Sequence, residues 1–260
     1  MARITAVCLA ILLAVGIAFA ADSPFAGTWK LNPAKSEFTG TTVKLEQGPA
    51  GEMKMTAEGQ SYTFRIDGKA YPTPWGATAA WTQVNPGSWE AVYRMADKGT
   101  HLGTDTLALS ADGKTLTLTS RGTTPSGEKF ENATVYARAA GTAGLVGTWR
   151  STKVQFNSPE VMQIADSEGD GLKWTLPAYV ATVDVKFDGK DYVLSGPTVP
   201  PGFTLAMRRI DARSFELTNK LGGKIVYRGT YALSADGKTL TVTSVAEGTQ
   251  EKVKAVYDRQ

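Results

Sequence analysis

The sequence predicts an all-β protein made of two tandem copies of one antiparallel module, folded as a sandwich or a barrel. Three observations carry this expectation. The segment Leu109–Ser120 returns at Leu233–Ser244 with a single change, Leu118 becoming Val242. Around it, Gly27-Thr28-Trp29 returns as Gly147-Thr148-Trp149, Asp67-Gly68-Lys69 as Asp188-Gly189-Lys190, and Val135-Tyr136-x-Arg138 as Val256-Tyr257-x-Arg259, always in the same order. A module of roughly 115 residues is therefore written twice. Second, Thr115–Ser120 and Thr239–Ser244 alternate polar and apolar residues, the pattern of a strand with one buried face. Third, Asp-Gly pairs at 67–68, 112–113, 188–189 and 236–237 supply the positive φ angles of tight hairpin turns.

Taken in order, the chain opens Met1-Ala2-Arg3, runs apolar from Ile4 and closes on Ala18-Phe19-Ala20. A positive start, an apolar stretch and small residues at the −3 and −1 positions read as a secretory signal, residues 1–20. Cleavage removes Cys8, so the mature chain is expected to have no thiol, no disulfide and no Cys-ligated metal. No later stretch is apolar enough for a transmembrane segment, and the expected location is the periplasm or the medium. Without Arg3, 27 basic residues face 25 acidic ones. The basic residues are scattered singly along strands, which disfavours nucleic acid and anionic membrane as partners.

Within the first module the alternation and the turns place strands at 27–31, 41–47, 52–57, 61–66, 78–84, 89–95, 104–109, 116–120 and 129–136. The best helical fragment is Pro159–Ala165. The small residues 140–144 read as a linker between residues 21–139, the first module, and 145–260, the second.

Gly-Thr-Trp-Lys-Leu at the start of such a module, with Val-Tyr-x-Arg at its end, resembles the calycin group of lipocalins and intracellular fatty-acid-binding proteins. The runs Gly27–Ser36 and Ser110–Thr115 look closest to a lipocalin-like family of exported bacterial proteins, with weaker echoes at Gly147–Trp149 and Ser234–Thr239. The resemblance implies two tandem antiparallel lipocalin-like β-barrels. It also implies barrel closure by Gly27, Trp29 and Arg138 in the first module and by Gly147, Trp149 and Arg259 in the second, each arginine lying over the tryptophan of its own module. In the fatty-acid-binding proteins an arginine two residues before the final tyrosine grips the ligand carboxylate. Here Thr134 precedes Tyr136 and Ala255 precedes Tyr257, so that cationic partner is missing.

Other chemistry is sparse. His101 is the only histidine: a Ser-His-Asp triad would have to use it, yet no Gly-x-Ser-x-Gly elbow is present, and a zinc site of the usual kind needs three or four such ligands. Asp166-Ser-Glu-Gly-Asp170-Gly171 has Pro177 where a calcium-binding loop needs its final glutamate, and reads as an acidic hairpin turn. No nucleotide fingerprint, cofactor motif or metal site is expected. Tryptophans crowd the first module: Trp75 in a Pro/Gly-rich loop, Tyr71–Gly76, then Trp81 and Trp89. The second module has Met207-Arg208-Arg209 and Arg228 at corresponding places, so its lumen is expected to tolerate an anion. These residues lead to an exported, non-enzymatic binding protein for small apolar or amphipathic molecules. The expected ligand-binding residues are Trp75, as a mobile cover, Trp81, Trp89, Tyr136 and Tyr257. The rival expectation is a structural or interaction module of the cell envelope whose barrels are filled by side chains.

Overall fold

A computed structural model describes residues 23–141 and 143–260. The expected signal segment, with Cys8, lies outside the described residues. The chain is all-β, as expected. Its strands are β1 (Gly27–Leu31), β2 (Thr42–Gln47), β3 (Met53–Ala57), β4 (Gln60–Phe64), β5 (Ala70–Pro72), β6 (Ala77–Asn85) and β7 (Ser88–Met95). They continue as β8 (His101–Leu109), β9 (Thr115–Thr123), β10 (Lys129–Ala140), β11 (Gly147–Gln155), β12 (Val161–Ser167), β13 (Gly171–Leu176) and β14 (Ala181–Lys186). The last six are β15 (Tyr192–Val193), β16 (Phe203–Asp211), β17 (Ser214–Leu221), β18 (Lys224–Leu233), β19 (Thr239–Ala246) and β20 (Lys252–Arg259). The nine strands expected in the first module are all present within a few residues. The short β5 was missed, because it is three residues long and ends in proline.

These strands form two ten-stranded antiparallel sheets, each curled into a nearly closed barrel. The first barrel runs β4-β3-β2-β11-β10-β9-β8-β7-β6-β5 and the second β14-β13-β12-β1-β20-β19-β18-β17-β16-β15. Backbone contacts draw the free edges together. In the second barrel Thr182 of β14 and Ser195, just past β15, exchange backbone hydrogen bonds at 2.8 and 2.9 Å; in the first, the Gly68 amide of the β4–β5 connection donates to the Trp81 carbonyl of β6 at 2.8 Å. Each barrel encloses its own core, one around Trp149, Trp81 and Phe64, the other around Trp29, Phe215 and Trp174.

The order of the strands corrects the expected closure. β1 lies in the second barrel, between β12 and β20, and β11 lies in the first, between β2 and β10. The two modules exchange their first strands. Residues 140–144 therefore do not divide the barrels: β10 and β11, on either side of them, are neighbours in one sheet. The crossings occur at residues 32–41 and 156–160. After β1 the chain docks along β20 instead of turning back: Asn32 Nδ2 donates to Asp258 at 2.6 Å, Lys35 pairs with Asp258 at 2.8 Å, and Glu37 exchanges backbone hydrogen bonds with Lys254. After β11 it docks on β10, with the Asn157 amide donating to Asn132 Oδ1 at 2.9 Å and Asn132 Nδ2 donating to Ser158 at 2.6 Å. Phe38 and Phe156 meet edge to face between the crossings, 4.4 Å apart.

Exchange also reassigns the tryptophan–arginine pairs. Arg259 lies 4.3 Å over Trp29, and Arg138 lies 4.0 Å over Trp149. The expected pairs, Trp29 with Arg138 and Trp149 with Arg259, do not form. Each seal is otherwise of the kind the motif implied. Arg138 donates to the carbonyls of Gly113, Val146 and Gly144, and Arg259 to those of Gly237, Ala26 and Pro24. The indoles, fully buried, donate to Leu145 at 3.0 Å and Phe25 at 2.9 Å. Gly27 and Gly147 sit at φ +144° and +150°, and a Cβ at either would approach the guanidinium to 2.7 or 2.8 Å. No other residue fits there.

The expected helix at Pro159–Ala165 is instead the start of β12. Met162 and Ile164 are buried at period two and pair with β1, which a helix could not satisfy. The acidic run is the β12–β13 hairpin turn, as expected.

Because the two Gly-Thr-Trp motifs are equivalent, only coupling energies tell an exchanged closure from an unexchanged one. Double-mutant cycles on urea unfolding are expected to give about 0.5–2 kcal/mol between Arg138 and Trp149, and between Arg259 and Trp29. Cycles pairing Arg138 with Trp29, or Arg259 with Trp149, should give about zero; the reverse pattern would disprove the exchange.

Candidate functional site

The two barrels share a frame and differ in what fills it. In the second, Trp174, Phe215 and Tyr231 occupy the lumen: Phe215 stacks on Tyr231 at 4.8 Å and Trp174 meets Tyr231 edge to face at 5.2 Å. By strand register, Met55 stands in the first barrel where Trp174 stands in the second, and Leu107 where Tyr231 stands. Two aromatic side chains are replaced by smaller ones. The reverse also occurs: Trp81, Tyr62 and Phe64 of the first barrel stand where the second has Met207, Val183 and Val185. Beside Met55 and Leu107 the first barrel holds a cavity of about 310 Å³.

Its apolar wall includes Met55, Trp81, Leu107 and Leu116, with Trp75 and Tyr136 beside them. Trp75 is half-buried and also lines an adjoining cleft of about 330 Å³, so it stands between the two spaces together with Tyr93 and Asp105. Thr41, Thr42 and Glu58 border the cavity at the ends of β2 and β3. Of the expected ligand-binding residues, the structure brings Trp75, Trp81 and Tyr136 together on this cavity. Trp89 is buried in the same core and is not part of the wall. Tyr257 belongs to the second barrel and packs against its filled core.

Sequence reasoning missed the polar part of the site. Asp105 projects from β8 on the same face as Leu107, into the cavity. The hydroxyls of Ser120 and Tyr93 lie beside its carboxyl and favour the charged form, but burial outweighs them and raises it to about 6. Tyr93 neighbours Tyr62, whose oxygen accepts the Trp81 indole N–H at 3.1 Å. Burial also raises the phenols of Tyr93, Tyr62 and Tyr136, the last to about 12, so they stay neutral through the physiological range. The only signal for Asp105 in the sequence is the mismatch with the second copy, where Gly229 takes its place and Tyr231 lies over it.

The other expectations resolve plainly. Arg208 and Arg209 are both exposed; Arg209 lies over Phe187 and pairs with Asp170, and Arg228 pairs with Glu247 at 3.4 Å. None enters the second lumen, so the expected anion-tolerant interior is not there. The space those side chains would need is already filled by aromatic rings. His101 is exposed beside Thr104. Among the described residues, no group of three or more His, Cys, Asp or Glu is placed to hold a metal, and no helix is long and apolar enough to cross a membrane.

The second barrel touches the first at the cavity's border. Tyr227 donates to Glu58. A Cβ on Gly59, next in the chain, would lie 2.0 Å from the Glu247 carbonyl oxygen, and one on Gly76, next to Trp75, would lie 2.6 Å from Pro200. Compared with protein-family models, curated proteins and solved structures, the chain matches none of them.

A buried carboxyl held at about 6 binds its proton more tightly in the folded protein than in the unfolded chain, where its ordinary value is 3.8. Asp105 therefore weakens the fold as the pH rises through this window, by at most about 3 kcal/mol once above it. Asp105→Asn is expected to raise the urea midpoint at pH 8 and to leave it nearly unchanged at pH 3.5. A gain independent of pH would show that the carboxyl is not strained by burial.

Proposed function

We propose that this chain is an exported, lipocalin-like binding protein whose first barrel holds a small apolar or amphipathic molecule and whose second barrel is a filled support. The observation that carries the reading is the contrast between the two interiors. An apolar cavity of about 310 Å³ lies in the first barrel beside Met55 and Leu107, which stand where the second barrel has Trp174 and Tyr231. A concave, mostly apolar wall with a few polar groups is the usual form of a small-ligand site. The repeated Gly-Thr-Trp and Val-Tyr-x-Arg motifs support the lipocalin-like assignment, and residues 1–20 support export to the periplasm or the medium. The non-enzymatic reading rests on the wall chemistry, which is mostly apolar and aromatic.

The rival reading, a structural module, is favoured for the second barrel alone, whose lumen is filled by Trp174, Phe215 and Tyr231.

The test is titration with the neutral fluorescent probe N-phenyl-1-naphthylamine. One probe is expected per chain. Leu107→Tyr, which places in the first barrel the ring that fills the second, is expected to weaken binding at least tenfold. Trp75→Ala should weaken it by less. Binding undiminished by Leu107→Tyr would place the probe elsewhere and remove the support for this site.

A further inference from the structure

The charges around the cavity narrow the class of ligand. Two carboxylates border it, Asp105 on the wall and Glu58 at the edge, and no Lys, Arg or His does. Glu58 accepts a hydrogen bond from Tyr227, a neutral phenol. Asp105 has only the hydroxyls of Ser120 and Tyr93 beside it, so neither carboxylate is matched by a cationic side chain across the cavity. Trp75, Trp81, Tyr93 and Tyr136 share that wall. An aromatic face attracts a cation through its quadrupole, and a carboxylate in an apolar setting is stabilised by an opposite charge. An anion would meet repulsion from both carboxylates and from the ring faces. In the second barrel Gly229 stands at the position of Asp105, beside the stacked rings of Phe215 and Tyr231.

Resting on the proposed binding role of the first barrel, we infer that its ligand is a small organic ammonium ion with an apolar or aromatic body, the cationic head against Asp105 and the body along Trp75, Trp81 and Leu107. The carboxylate accepts an N–H of the head, and the rings surround the remaining charge.

Three probes of one shape separate charge from burial: 2-phenylethylammonium, 2-phenylethanol and phenylacetate, each titrated calorimetrically into the whole chain. At pH 8 the ammonium is expected to bind at least tenfold tighter than the alcohol, and phenylacetate most weakly. Asp105→Asn should bring the ammonium-to-alcohol ratio to about one while alcohol binding persists. The pH profile of the wild-type protein gives the same answer without a variant. Ammonium affinity should fall between pH 8 and 5, as Asp105 takes up a proton near 6, while alcohol affinity stays level. The groups facing Asp105 are Tyr93 from β7, Ser120 from β9, Tyr62 from β4, Tyr136 from β10 and Glu58 at the end of β3, with Arg121 of β9 on the adjoining cleft, paired with Glu131 at 2.7 Å. The tyrosines do not ionise in this range, and Glu58→Gln isolates the remaining carboxylate. A pH dependence lost in Glu58→Gln and kept in Asp105→Asn overturns the assignment to Asp105. Alcohol binding without preference for the ammonium, or tighter binding of phenylacetate, overturns the cation inference and leaves the apolar site standing. Failure of all three probes overturns both.

Discussion

Each barrel closes on a guanidinium lying over a fully buried indole. Arg138 and Arg259 donate to three backbone carbonyls apiece while covering Trp149 and Trp29. A charge at such a place is tolerable only because its donors are satisfied and its face meets a π-system. The seal joins the last strand of one module to the first strand of the other, since Trp149 follows Arg138 across residues 139–148 and Trp29 reaches Arg259 from the start of the chain. Everything else about the fold follows from that junction. Breaking one seal opens a barrel and at the same time loosens the strand by which the other half is attached.

The exchange gives the filled barrel a mechanical part in the open one. A cavity deprives its lining of contacts, and a buried carboxylate adds a further penalty. The first barrel carries both. The second has a stacked aromatic core, Phe215 on Tyr231 with Trp174 at their edge, and its surface holds Glu58 through Tyr227 and abuts Gly59 and Gly76. The two lumens diverge in both directions: Met55 for Trp174, Leu107 for Tyr231 and Asp105 for Gly229, but also Trp81 for Met207 and Phe64 for Val185.

Most of the fold was legible in the sequence because it is local. Alternation at Thr115–Ser120 and the Asp-Gly turns report strand and hairpin directly, within a few residues of the chain. The exchange was not legible, and the reason is symmetry. Gly-Thr-Trp occurs twice and Val-Tyr-x-Arg occurs twice, so either arginine suits either tryptophan, and the choice is made by where residues 32–37 and 157–158 dock. The helix expected at Pro159–Ala165 failed for a related reason: a short apolar run is ambiguous between periods, and β1 of the other module supplied the pairing that decided for strand. At the site, Trp75 and Trp81 stood out by their excess over the second copy. Asp105 did not, because within Thr-Asp-Thr it looks like an ordinary turn-side acid until the register places it inward beside Leu107.

The same register argument explains why the polar and apolar parts of the cavity could diverge together. Residues two apart on one strand share a face, so Asp105 and Leu107 enter the same lumen from β8, as Gly229 and Tyr231 do from β18. At the first of these positions in the second barrel the Tyr231 ring lies within ordinary contact distance: a Cβ on Gly229 would stand 3.4 Å from it. On this strand the second barrel carries glycine with tyrosine, and the first aspartate with leucine, both pairs facing inward.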